Sequence, residues 1–305
     1  MNPLVRLIPS PLVRFFARPY VAGDSIERAL QVAEALQERG VASTLDLLAE
    51  AIETPEIAER NQATYLEMID AVASRFPDPA SRPSLSLKLS SFTTDPLEDG
   101  GHAAGSAEAA RVIAAAARER GVALTIDMES RHWTDFTLDL VHELHEAGHT
   151  HVGTVLQTRL RRTGDDLDRL PPGSRVRLVI GIYQEPAEVA LSNKEEMKSR
   201  MLEFGERLLE RGHYVEFGTH DEKWIRRFVD RVLECHGPER FEIQTLYGVP
   251  RERITEELRQ RGCIVRQYVP FALGWPMAID YLRRRLDEFP AMMFLVAKNW
   301  FGAES

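Results

Sequence analysis

The chain has 305 residues, longer than most single-core folds need and well suited to one eight-unit α/β barrel. Its 44% apolar and 28% charged residues are an ordinary soluble composition, and the net charge of −9 argues against a nucleic-acid partner, which would call for a basic face. Cys235 and Cys263 are the only cysteines, too few for a disulfide framework or a thiolate metal site, and they fit a reducing cytosol.

In chain order, the first segment has its apolar residues broken by Pro3, Pro9 and Pro11 and lacks the long apolar run of a signal peptide. It reads as a short amphipathic arm, with at most a peripheral contact through Phe15 and Phe16 at the inner face of the membrane, and no apolar stretch approaches the length of a membrane span. A helical stretch over 23–39 follows. Short β-type runs then recur at 42–48, 85–91, 123–129, 152–157, 175–181, 214–219, 241–246 and 265–269. Amphipathic segments at 54–75, 107–120, 134–147, 193–211, 222–235 and 251–261 lie between them. Gly40, Gly121, Gly148, Gly212 and Gly262 stand where a helix should stop before a strand. Eight strands alternating with helices predict a parallel sheet closed on itself. The expected fold is of the α/β class: a (βα)8 TIM-like barrel filling 1–305 as a single domain, with 1–40 as an N-terminal helical extension.

A barrel of this kind carries its site at the C-terminal ends of the strands. The polar residues there are Glu50, Lys88, Asp127, Glu129, Gln157, Arg177, Thr219, His220, Asp221, Gln244 and Tyr268. Taken singly they read as a surface lysine, a cap aspartate or a layer glutamine. Lys88, Asp127, Gln157, Arg177 and Gln244, however, sit inside β-runs, and buried charges need partners. Five such residues on five strands point to one shared polar site.

Beyond the last strand, Tyr281, Arg284, Arg285 and Glu288 are spaced i, i+3, i+4, i+7 and share one helix face. Two guanidiniums can hold a carboxylate in bidentate geometry; the plainer reading is a solvated helix end favoured by the dipole. His142, His145 and His149 lack the H-E-x-x-H order, so no metal is expected. There is no G-x-G-x-x-G, no P-loop, and no cysteine or convincing Ser/His pair at the strand ends.

The motifs SLKLS at 86–90, IDME at 126–129, RLV-x-G-x-Y at 177–183, THD at 219–221, IQ-x-LYG at 243–248 and Y-x-P…Y-L-x-R-R-L-x-E at 268–288 together resemble the bacterial proline dehydrogenases, from about Leu45 to Arg285. The resemblance implies a distorted barrel that binds FAD non-covalently. It would oxidise L-proline at C5 to Δ1-pyrroline-5-carboxylate, be reoxidised by a quinone, and hand the product to a pyrroline-5-carboxylate dehydrogenase. By resemblance, Lys88, Arg284 and Arg285 hold the substrate carboxylate. Tyr268, Tyr281 and Leu246 pack around the ring, and Asp127 supports the pocket. Gln157, Arg177, Val179, Gly181, Thr219, His220, Gln244, Leu246 and Glu288 line the cofactor, and Glu50 pairs with Arg284 as a gate. Tyr268 matches the proline-selective form. Ile180 and Gln184 replace the lysine and aromatic expected there, and the Tyr268–Tyr281 segment is a few residues longer than the short bacterial pattern. The aldehyde dehydrogenase and DNA-binding regions of the large bifunctional relatives are not among these motifs, so a cytoplasmic enzyme of the monofunctional type is expected. A barrel flavoenzyme acting on another cyclic imino acid, or a catalytically silent ligand-binding barrel, stays open at this point.

Overall fold

A computed structural model describes residues 20–49, 52–274 and 279. Helix α1 (Ile26–Glu38) leads into β1 (Ala42–Leu47), and the chain then alternates: α2 (Pro55–Arg75), β2 (Ser84–Leu87), α3 (Ser106–Arg120), β3 (Leu124–Ile126), α4 (Thr134–Glu146) and β4 (Val152–Gln157). After the short α5 (Thr163–Asp166) come β5 (Arg175–Val179), α6 (Lys194–Glu210), β6 (Tyr214–Gly218), α7 (Glu222–His236), β7 (Phe241–Leu246), α8 (Glu252–Gln260) and β8 (Ile264–Phe271). The strands form a closed parallel barrel in sequence order. β1 closes it by pairing with β8 from Ala42 opposite Arg266 to Leu47 opposite Phe271.

The expected strands and the helices between them are present, with shifted ends; the arm before residue 20 and the helix face at 281–288 lie outside the described residues. β2 stops at Leu87 and β3 at Ile126, so Lys88 and Asp127 stand one residue beyond their strands rather than inside them. The reason is local: Leu89–Phe92 turns into a 3-10 helix with Lys88 as its cap. All five glycines at the helix ends have positive φ, from 62° at Gly121 to 84° at Gly148 and Gly212. At Gly121 the backbone donates to the carbonyls of Ala117 and Arg118, a left-handed stop that a Cβ would disfavour.

Two apolar layers lie between barrel and helices. One joins α1–α4 to β1–β3 and β8 through Leu45, Met68, Leu85, Ile113 and Phe271. The other joins α6–α8 to β4–β8, where Phe217 and Phe228 stack at 4.1 Å. The strands therefore turn Val176 and Leu178, or Phe241 and Ile243, outward to the helices, leaving Arg175 and Arg177, or Glu242 and Gln244, on the opposite face. A barrel interior is ordinarily filled by branched apolar side chains. Here it holds ionisable ones, among them Asp46, Asp127, Glu216 and Glu242 with Lys88, Arg175, Arg177 and Arg266. No helix among the described residues is long and apolar enough to cross a membrane.

Candidate active site

The ends of β2 and β3 and the interiors of β5 and β8, where Arg177 and Tyr268 sit short of the strand ends, bring four of the expected residues into direct contact. Arg177 Nη1 donates to Asp127 Oδ1 at 2.7 Å, and Tyr268 Oη donates to Asp127 Oδ2 at the same distance. Ser86 Oγ adds a third donor to Asp127 Oδ1 at 2.8 Å. Lys88 Nζ lies 3.5 Å from Asp127 Oδ2 and 3.4 Å from Tyr268 Oη. Above the Tyr268 ring the Arg177 guanidinium sits 5.1 Å from the centroid, within cation–π range.

Burial alone would push the Asp127 carboxyl up, but Arg177 and Lys88 overcome it and hold it below its ordinary value. Asp46 goes the other way: burial raises it, and Lys88 only partly offsets this. Burial would discharge Lys88, yet Asp46 beside it drives the ammonium well up, so it stays charged. The Tyr268 phenol is driven far up by burial and by Asp127, so it remains a proton donor.

Around this cluster stand the other expected residues. Gln157, at the end of β4, donates from Nε2 to the Glu129 carbonyl at 2.7 Å. Gly181 has φ +97°, and a Cβ there would meet Gln157 Oε1 at 2.5 Å, so only glycine leaves room for that glutamine. Thr219 Oγ1 accepts from the Asp221 backbone at 3.2 Å. His220 Nε2 accepts from the Leu246 backbone N–H at 3.2 Å, which places the proton of the neutral ring on Nδ1. Burial, with Arg251 nearby, lowers its pKa to about 4, so the ring is neutral at neutral pH. Leu246 is exposed at the end of β7, and Ile182 is exposed in the loop after β5. Val179 and Ile180 pack on the outer apolar layer, and Gln184 is exposed. Glu50, Tyr281, Arg284, Arg285 and Glu288 lie outside the described residues.

Of the buried polar atoms left without a partner among the described residues, two belong to side chains expected to line the site. Arg177 Nη2 and His220 Nδ1 are buried and have no partner among the described residues. Buried donors are rarely left unpaired, so both suit a ligand that presents acceptors to the barrel mouth.

Several residues of the site escaped the strand-end reading. Asp46 is the partner of Lys88 at 2.7 Å. Ser86 bridges Asp127 and Arg177. Glu216, Glu242 and Arg266 pair beneath them: Arg266 Nε donates to Glu242 at 2.6 Å, and Arg175 Nη2 to Glu216 at 2.8 Å. Glu129, by contrast, was among the strand-end residues expected; it is buried and accepts from the Ser90 backbone at 3.0 Å and from its hydroxyl, capping the turn that presents Lys88. The available signal was the period-two polar residue within each apolar run, as in LDL, VEF and FEIQ. The histidines on the outer helix are engaged locally: His142 with Glu146, and His145 with the Val152 carbonyl.

The model of the family "Proline dehydrogenase" matches residues 29–293. A proline dehydrogenase of Deinococcus radiodurans is 36% identical over 280 residues, covering 90% of this chain and 86% of that protein. Proline dehydrogenase 1 of Bacillus subtilis strain 168 is 32% identical over 288 residues, covering 94% and 91%. Among solved structures, proline utilization A (PutA) from Bdellovibrio bacteriovorus, inactivated by N-propargylglycine, shares the fold with a TM-score of 0.78 at 22% identity. The match covers 89% of this chain but only 32% of that much longer one. With the barrel, its polar mouth and these matches in hand, the chain belongs to the proline dehydrogenase family of oxidoreductases.

Proposed function

We propose that this protein oxidises L-proline to Δ1-pyrroline-5-carboxylate in proline catabolism, using bound FAD that a quinone reoxidises. The carrying observation is the contact of Lys88, Asp127, Arg177 and Tyr268 at one barrel mouth. FAD would supply a two-electron acceptor that no side chain provides. The residues present suit it: Arg177 Nη2 and His220 Nδ1 are buried donors without a partner among the described residues, which a cofactor rich in acceptors would supply, and Gly181 keeps the β5 end free of a side chain beside Gln157. Gln157, Arg177, Val179, Gly181, Thr219 and His220 would line it, with Leu246 between cofactor and substrate.

Oxidation takes a hydride from C5 and a proton from the ring nitrogen as the C=N bond forms. The chain's task is alignment, which can supply much of the barrier reduction. The Tyr268 ring and the exposed Leu246 offer apolar walls to the pyrrolidine ring. Lys88 contributes positive charge toward the substrate carboxylate, joined by Arg284 and Arg285 on the sequence pattern. Tyr281, Glu288 and the Glu50–Arg284 gate rest on that pattern alone. A pyrroline-5-carboxylate dehydrogenase is the proposed consumer of the product.

Heat denaturation of the purified protein and chromatography of the supernatant test the cofactor. FAD is expected; FMN, or no flavin after reconstitution, contradicts the reading.

A further inference from the structure

We infer that Glu216 and Glu242 are positioning residues for Arg177, acting through the side-chain amide of Gln244, with Glu216 Oε2 also 3.4 Å from Arg177 Nε. The inference rests on the flavin-dependent reading above and deepens it.

The Gln244 amide has two N–H groups. Nε2 donates to Glu216 Oε2 at 2.7 Å and to Glu242 Oε1 at 2.6 Å. Both carboxylates are almost fully buried, at 2% and 0% exposure. With both donors committed downward, Oε1 faces the other way and accepts from Arg177 Nε at 2.7 Å. Turning the amide over would set its oxygen against two buried carboxylates and its N–H groups against a guanidinium. The charges below thus allow one orientation. The carboxylates are themselves held, Glu242 by Arg266 and Glu216 by Arg175.

Arg177 is then fixed at three of its N–H groups: Nε by Gln244, and Nη1 by Asp127 at 2.7 Å and Ser86 at 3.0 Å. A guanidinium is planar, so fixing Nε and Nη1 fixes the direction of Nη2. Nη2 is the buried donor without a partner among the described residues. Gln244 has no N–H left for a cofactor. Its role is to aim Arg177, and the barrel floor enforces that aim.

Gln244→Met keeps the length and removes both the donor and the acceptor; Glu216→Gln keeps the shape and leaves an acceptor oxygen. Each is checked for folding by thermal melting. Each is then compared with wild type in FAD affinity of the apoprotein, the visible flavin spectrum, and anaerobic single-turnover reduction by L-proline. We expect Gln244→Met to weaken FAD binding, shift the flavin spectrum and slow hydride transfer about tenfold or more, while proline Kd changes less than about threefold. Glu216→Gln should fall between it and wild type. Values for folded Gln244→Met within about twofold of wild type overturn the inference, as does an effect confined to proline Kd. Should Gln244→Met fail to fold, Glu216→Gln decides on the same readouts. A wild-type protein that takes up no FAD fails at the earlier step and overturns the flavin reading itself.

Discussion

Lys88 Nζ and Asp46 Oδ1 are 2.7 Å apart, with the aspartate side chain 2% exposed. The lysine thus reaches the barrel mouth as a cation held by a carboxylate from the neighbouring strand. Removing Asp46 leaves Lys88 only the more distant Asp127 at 3.5 Å, and breaking a buried pair typically costs about 3–5 kcal/mol. Asp46→Ala should lose stability of that order in chemical denaturation, and adding Lys88→Met should recover most of it. A double variant no more stable than Asp46→Ala would mean that the two groups are not coupled.

The polar floor explains what was legible and what was not. Gly40, Gly121 and the other joints mark helix ends because a left-handed backbone is a local demand. The eight strands were legible because each apolar run is short, and five of them follow such a joint. Asp46, Glu216, Glu242 and Arg266 were not, because a polar residue alternating with apolar ones reads as the wet face of a strand. Only closure of β1 onto β8 buries that face, and closure is a long-range event. The end of β2 was overrun because SLKLSS keeps its alternation past Leu87, while the carboxylate that caps the turn there, Glu129, comes from the loop after β3.

Tyr268 both donates to Asp127 and presents its ring under Arg177. Wild type should prefer L-proline to 4-hydroxyproline. Tyr268→Ser should narrow that ratio, mostly by harming proline, since rejection by bulk is worth about 1–3 kcal/mol, or one to two decades. Tyr268→Phe, which keeps the ring, should hold the preference. kcat/KM for both substrates in all three proteins is the check; an unchanged ratio in a folded, flavin-loaded Tyr268→Ser protein would take Tyr268 out of the substrate pocket.

For Arg285, on the sequence-derived helix face, Arg285→Met should cost about 2–5 kcal/mol of substrate recognition if it is one arm of a carboxylate clamp. That corresponds to roughly 30-fold to several thousand-fold in kcat/KM at about 1.4 kcal/mol per decade. A loss below about threefold would place the guanidinium off the substrate.

His151 is held neutral in the fold: burial lowers it from 6.5 to about 4, against the help of the Ala114 carbonyl at 3.0 Å. Between those values the unfolded chain binds more protons than the folded one, so stability falls as pH drops through that window and levels below it. His151→Gln should flatten the acid limb of a plot of Tm against pH. An identical limb in the variant would assign the loss to other groups.

The Arg177–Asp127–Tyr268 mouth is proposed to work on proline through a flavin. Anaerobic addition of L-proline to the flavin-loaded protein tests it most directly. The long-wavelength flavin absorbance should bleach, with saturation in proline, and Δ1-pyrroline-5-carboxylate should accumulate in step with the reduced flavin. A flavin that stays oxidised under saturating proline, in protein competent for chemical reduction, would contradict it.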